Sequence, residues 1–148
     1  TGISANLSGA DKETEQKLFD YGMKLGTAYQ IYDDCIDLIG SEDNVGKTLG
    51  TDLEKGKLTL PMLILMENAT EEQKTKLNKR ILDQQPLDFK VLVGIADYAG
   101  AIEQSLDTAS NMLHEARSGL QCLDKSKYAT GLADITLYLD GLIDKCRK

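Results

Sequence analysis

The sequence has 148 residues, of which 41% are hydrophobic, and a formal net charge of -7. This length is enough for one hydrophobic core and does not require two domains. A surface that is negative on average would repel nucleic acid and anionic membranes, so neither is expected as the main partner.

Two further features bear on where the protein acts. No apolar run approaches the roughly 20 residues that cross a bilayer, and the first residues lack a signal-peptide pattern. The cysteines Cys35, Cys122 and Cys146 form an odd set without CxxC spacing, which is typical of free thiols in a reducing compartment. We therefore expect a soluble, cytoplasmic protein.

The sequence favours an all-α fold, because only two prolines occur and period-two alternation of β-branched residues is scarce. In chain order, the first predicted helix is capped by Asp11 and ends at Gly40. Residues 40–58 are polar and glycine-rich, which predicts a loop. Thr59 and Pro61 then open a short segment that is apolar all round and is expected to be buried.

The second half of the chain predicts four more helices. Thr70 and Gln73 form a capping-box pattern ahead of a helix that runs to about Leu82. Pro86 suits the first turn of the next helix, which ends or bends at residues 94–100. Two longer helices follow at residues 101–123 and 127–146. The last is expected to place five apolar side chains on one face: Leu132, Ile135, Leu139, Leu142 and Ile143.

Residues 30–37 read Gln-Ile-Tyr-Asp-Asp-Cys-Ile-Asp and set three carboxylates on the first long helix. Asp33 and Asp37 are one turn apart, and Asp34 and Asp37 are neighbours at i and i+3. Carboxylates this close repel one another unless a cation neutralises them, and oxygen ligands favour Mg²⁺. The alternative is a solvated acidic patch in an acidic chain.

The loop after these aspartates combines glycines with cationic side chains. Residues 46–61 read Gly-Lys-Thr-Leu-Gly-Thr-Asp-Leu-Glu-Lys-Gly-Lys-Leu-Thr-Leu-Pro. Lysine is a mobile point charge suited to a diphosphate, and glycine lets the backbone close on a ligand. The alternative is a surface loop with ordinary lysines.

These elements occur in the order Gly-x-x-x-Gly-x-Ala-Tyr-Gln-Ile-x-Asp-Asp-x-x-Asp, then Gly-Lys, Gly-x-Asp and Gly-Lys-x-Thr-x-Pro. This order, from Gly22 to Pro61, resembles the second aspartate-rich region of trans-prenyl diphosphate synthases. The resemblance implies a bundle of long helices around a deep cleft. In that cleft, two aspartate-rich motifs would face each other across Mg²⁺ ions.

The resemblance also implies a role for each matching residue. The magnesium ligands would be Asp33, Asp34 and Asp37, the diphosphate would be bound by Gln30, Lys47 and Lys57, and the catalytic residues would be Asp33, Asp34 and Lys47. Asp52 would brace the loop. Metal and lysines would stabilise charge on the diphosphate leaving an allylic substrate. The double bond of isopentenyl diphosphate would then attack the allylic carbon, and a proton would be lost.

The family's first aspartate-rich motif normally precedes this region, and residues 1–10 do not contain it. We therefore expect residues 1–148 to be the C-terminal portion of a prenyl synthase helical domain, inactive alone, whose intact form is a homodimer or heteromer. Asp33 and Asp37 are expected to face a cleft, or the face that the missing half leaves open, rather than a buried apolar layer. An alternative is a non-catalytic regulatory or partner subunit of a heteromeric synthase. A helical interaction module and a terpene cyclase are weaker alternatives.

Overall fold

A computed structural model describes residues 1–39, 57–83 and 89–147. The predictions made for residues 40–56 and for Pro86 lie outside the described residues. Within the described ranges, every regular element is a helix and no strand occurs. The predicted all-α fold is therefore confirmed.

Helices follow one another along the described part of the chain, most of them joined by short connections. They are α1 (Gly2–Leu7), α2 (Lys12–Ile39), α3 (Leu60–Asn68), α4 (Glu71–Leu82), α5 (Phe89–Val93), α6 (Tyr98–Gly119) and α7 (Lys127–Cys146), with a 3-10 turn at Leu120–Cys122. The sequence did not predict α1. In the part of the chain that is described, no helix combines the length and apolarity needed to cross a membrane.

Side-chain caps begin α2, α4 and α7. The Asp11 carboxylate accepts a hydrogen bond from the Thr14 backbone N–H at 2.9 Å, which lowers the pKa of Asp11. Thr70 and Gln73 form the predicted capping box at the start of α4. The Ser126 hydroxyl accepts from the Ala129 N–H at 3.2 Å and starts α7 at the predicted residue. These caps satisfy N–H groups that a helix leaves without partners in its first turn.

Helix α6 begins at Tyr98, three residues before the predicted start. Asp97 causes the difference, because its Oδ1 accepts from the Gly100 N–H at 3.0 Å and caps the helix. A Cβ at position 100 would collide with Asp97 Oδ2, so a larger residue there would make the capping carboxylate shift.

The chain divides into two compact units. The terminal unit comprises residues 1–30 and 108–148, and the central unit comprises residues 31–107. In the terminal unit, Tyr21, Ala116 and Leu120 form a buried cluster against which Leu132 packs. The Tyr21 hydroxyl donates to the Leu132 carbonyl at 2.8 Å, so this buried polar group has a partner.

The buried face of α7 differs from the predicted one. Leu139 and Ile143 are buried as expected, but Ile135 is 49% exposed and Thr136 is fully buried in its place. The Thr136 hydroxyl donates to the Ala133 carbonyl at 2.7 Å, which lets a polar side chain occupy the core.

The central unit has its own buried leucines, among them Leu65, Leu77 and Leu106. The side chains of Asn68 on α3 and Gln104 on α6 share a hydrogen bond of 3.3 Å. Helix α3 was expected to be buried all round, but Leu63 is 49% exposed, so α3 buries only part of its surface.

Candidate active site

The aspartate-rich segment occupies the last two turns of α2, in the central unit. Asp33 is half-buried, whereas Asp34 and Asp37 are buried. Asp37 is thus not on an open surface of the chain, and the expectation that Asp33 and Asp37 face a cleft stays a prediction. Carbonyl groups at a helix C-terminus carry partial negative charge, so carboxylates there increase the need for a nearby cation.

Lys57 supplies one such cation. Its Nζ lies 3.5 Å from Asp34 Oδ1, although the two residues are 23 positions apart. The Asp34 side chain is 9% exposed and that of Lys57 is 51% exposed. The structure thus brings together one predicted metal ligand and one predicted diphosphate-binding residue.

The start of α3 fixes the backbone of Lys57. The Thr59 N–H donates to the Lys57 carbonyl at 3.1 Å, which forms a tight turn ahead of the helix. Thr59 is the N-cap and Pro61 lies in the first helical turn, where the proline ring presets the helical φ. Pro61 is also buried, which anchors this end of α3 in the central unit.

Tyr98 lies near the aspartate-rich segment, and the sequence did not predict its position there. It is 3% exposed at the first position of α6, and its burial raises the pKa of its hydroxyl strongly. The charges of Cys35 and Asp37 raise that pKa further, which shows that the phenol lies near the aspartate-rich segment. Asp97 is a helix-capping signal that could have placed Tyr98 at a helix start, but no pattern relates Tyr98 to Asp37.

The other predicted diphosphate-binding residues are less well defined. Gln30 is exposed on α2, one turn before Asp34. Lys47 and Asp52 lie outside the described residues. Their assigned roles, like those of the aspartates, stay predictions.

The carboxylates of the Asp33 segment meet part of the requirements of a metal site. Among the described residues, no three His, Cys, Asp or Glu side chains form a group that could hold a metal ion. Magnesium typically takes only one or two protein carboxylates and completes its shell with waters and substrate phosphates. The oxygen donors of the Asp33 segment therefore fit Mg²⁺ in chemistry, as one part of a shared site.

Comparison with known proteins gives the chain a family. The profile of the polyprenyl synthetase family matches residues 1–95. The chain is 31% identical over 137 residues to "Heptaprenyl diphosphate synthase component 2" of Bacillus subtilis (strain 168), covering 93% of this chain and 39% of that relative. It thus spans about two-fifths of the length of such relatives.

Two solved structures agree with this match. The decaprenyl diphosphate synthase from Rhodobacter capsulatus superimposes with a TM-score of 0.81 at 26% identity, over 100% of this chain and 45% of that one. The polyprenyl synthase from Caulobacter crescentus CB15, complexed with calcium and isoprenyl diphosphate, gives a TM-score of 0.77 at 25% identity, over 94% and 43% of the two chains. The chain belongs to the polyprenyl synthetase family.

Proposed function

We propose that residues 1–148 are the C-terminal portion of a trans-prenyl diphosphate synthase. The intact enzyme condenses isopentenyl diphosphate with an allylic diphosphate and releases a linear prenyl diphosphate. The observation that carries this proposal is the approach of Lys57 to Asp34, an ammonium and a carboxylate held 3.5 Å apart in a family of diphosphate enzymes. Both groups are needed where a diphosphate and its metal are bound side by side.

Asp33, Asp34 and Asp37 would hold Mg²⁺, and the calcium in the Caulobacter crescentus synthase supports a divalent ion in the family. When bound, the ion would supply positive charge beside the leaving diphosphate. Lys57 and Lys47 would bind diphosphate oxygens, and Gln30 would orient them. As the allylic C–O bond breaks, its electron pair goes to the diphosphate, whose growing charge the lysines stabilise. The double bond of isopentenyl diphosphate attacks the allylic carbon, and a proton is lost.

The setting of the intact enzyme is also a proposal. We place it in the cytoplasm, as a homodimer or heteromer. The three cysteines support a reducing compartment, because Cys35, Cys122 and Cys146 are all free thiols. The sequence holds one Asp-Asp-x-x-Asp motif, so the other wall of the site would come from a segment with the first aspartate-rich motif.

A second candidate is a non-catalytic partner subunit of a heteromeric synthase. The name of the Bacillus subtilis relative, which calls it component 2, supports an assembly of more than one component in the family. The presence of Asp33, Asp34, Asp37 and Lys57 favours the catalytic candidate, because burying the Asp34 carboxylate is costly and a metal and diphosphate site gives that cost a purpose.

A chimera tests the catalytic candidate. Residues 1–148 replace the matching segment of the decaprenyl diphosphate synthase from Rhodobacter capsulatus, and product is measured with radiolabelled isopentenyl diphosphate. We expect prenyl products that depend on Mg²⁺ and disappear in the Asp33→Ala, Asp34→Ala double variant. Lys76→Gln, at an exposed position of α4, is the matched control and should stay active. A folded chimera without product, or an active double variant, contradicts the catalytic role.

A further inference from the structure

The ion pair between Lys57 and Asp34 joins two residues to which separate tasks have been assigned. Asp34 is a proposed metal ligand and Lys57 a proposed diphosphate-binding residue, yet without either ligand they lie 3.5 Å from each other. A divalent ion on Asp34 and an ammonium at the same carboxylate repel each other, which favours a different position of one of the two in the ligand-bound protein.

The asymmetry of burial shows which partner is able to move. The Asp34 side chain, 9% exposed, sits on a long helix, and an ionised carboxylate that is this buried requires a nearby positive charge. The Lys57 side chain is 51% exposed and flexible, so its ammonium can leave Asp34 without losing access to water. The Lys57 backbone stays in place, because the turn to Thr59 and the start of α3 hold it.

We propose that Lys57 is the resident counter-ion of Asp34 in the metal-free protein, and that a divalent cation at Asp34 releases the Lys57 ammonium to bind the diphosphate. This inference rests on the proposed function of the site. It makes Lys57 a coupling residue, since metal binding would prepare the cation that the diphosphate needs. It also makes the ammonium a competitor of the metal, so removal of Lys57 should tighten metal binding.

The competition is tested first with Mn²⁺ as the probe, by electron paramagnetic resonance of the free ion in titrations of the full 148-residue chain. We expect Lys57→Gln to bind Mn²⁺ about three- to tenfold more tightly than wild type, the range of a partly buried ion pair. The control Lys76→Gln removes a comparable ammonium, 2.7 Å from Glu72 on α4, and should change the affinity less than about twofold. The gain should vanish when Asp34→Asn is combined with Lys57→Gln.

The metal-free state is tested by urea unfolding of the same variants in the presence of chelator. Lys57→Gln should lower the folding equilibrium constant about three- to tenfold, and this loss should disappear in the Asp34→Asn background if the two residues interact directly. Lys57→Arg, which keeps the charge, should lie close to wild type in both experiments.

The release step has its own readout in the side-chain NMR signal of Lys57 Nζ. Addition of Mg²⁺ should shift this signal and leave that of Lys76 unchanged. The inference is overturned if Lys57→Gln binds Mn²⁺ no more tightly than Lys76→Gln, if no variant binds Mn²⁺, or if Mg²⁺ does not shift the Lys57 signal. If the chimera is active and any of these results is found, this inference is wrong and the proposed function stands. If the chimera is inactive but the expected results are found, the proposed function is wrong and this inference stands.

Discussion

The terminal and central units treat their buried polar groups differently. In the terminal unit, the buried hydroxyls of Tyr21 and Thr136 donate to backbone carbonyls, so burial leaves no charge to compensate. The central unit instead buries the carboxylates of Asp34 and Asp37, and a half-exposed lysine contacts one of them. Buried charge is costly, so it is weak evidence for stability and marks a candidate functional site. On the proposed function, the buried carboxylates of the central unit serve the chemistry, whereas Tyr21 and Thr136 of the terminal unit serve packing.

The largest expected effect is that a substitution in the central unit lowers turnover, whereas a substitution in the terminal unit lowers stability. In the chimeric synthase, Asp34→Ala should lower turnover about 10²- to 10³-fold, the loss expected when charge stabilisation in a transition state is removed. Leu113→Ala, at a fully buried position of the terminal unit, should lower the free energy of unfolding by about 2–5 kcal/mol. Steady-state kinetics and urea unfolding of both variants check this.

The difference between the two units is lost if turnover and stability do not respond separately to these two substitutions. Asp134→Ala, an exposed aspartate of the terminal unit, is the control for a lost carboxylate and should leave turnover near wild type. A folded Leu113→Ala protein with turnover as low as that of Asp34→Ala would remove the distinction between the units.

A smaller effect is expected at alkaline pH from one buried tyrosine in each unit. Burial raises the pKa of Tyr21 and, more strongly, that of Tyr98. A tyrosine in the unfolded chain ionises near pH 10. The stabilisation that each buried tyrosine provides is therefore complete below that pH and falls as pH rises towards the pKa of the tyrosine in the folded protein. Tyr98→Phe should therefore remove more of the alkaline loss of stability than Tyr21→Phe. Urea midpoints measured from pH 9 to pH 11 check the order, and a larger effect of Tyr21→Phe contradicts it.

The smallest effect concerns the helix caps. The reciprocal bonds of Thr70 and Gln73 support α4, whereas Ser126 supports α7 with one bond. Changing both Thr70 and Gln73 to alanine should cost about 1–2 kcal/mol, and Ser126→Ala about 0.5–1 kcal/mol. Thermal unfolding by circular dichroism measures both, with Thr75→Ala inside α4 as the control for a lost hydroxyl. Equal losses for the two caps would remove this difference.

Local signals in the sequence predicted much of the fold. The starts of α4 and α7 follow from Thr70 and Ser126, which act on N–H groups within one turn. The buried face of α7 was less predictable, since Ile135 is the more apolar residue but Thr136 has the helical phase of Leu132, Leu139 and Ile143. The helix geometry decided, because the Thr136 hydroxyl could bond within its own helix.

The candidate site was predictable only in its residue types. Asp33, Asp34 and Asp37 share a helix and could be grouped by spacing alone. The contact of Asp34 with Lys57 depends on how α3 returns towards α2, and a distance of 3.5 Å across 23 residues is not encoded in any local pattern. The position of Tyr98 near Asp37 is likewise a result of tertiary packing.

The most direct test of the central claim is product formation by the 148 residues alone. Purified chain, incubated with Mg²⁺, an allylic diphosphate and radiolabelled isopentenyl diphosphate, should give no product above the blank. Ionisation needs positive charge on more than one side of the diphosphate, and the Asp33 segment supplies one side. Adding a polypeptide that carries the first aspartate-rich motif should restore synthesis. Robust synthesis by the 148 residues alone would contradict the account, because it would show a complete active site within this chain.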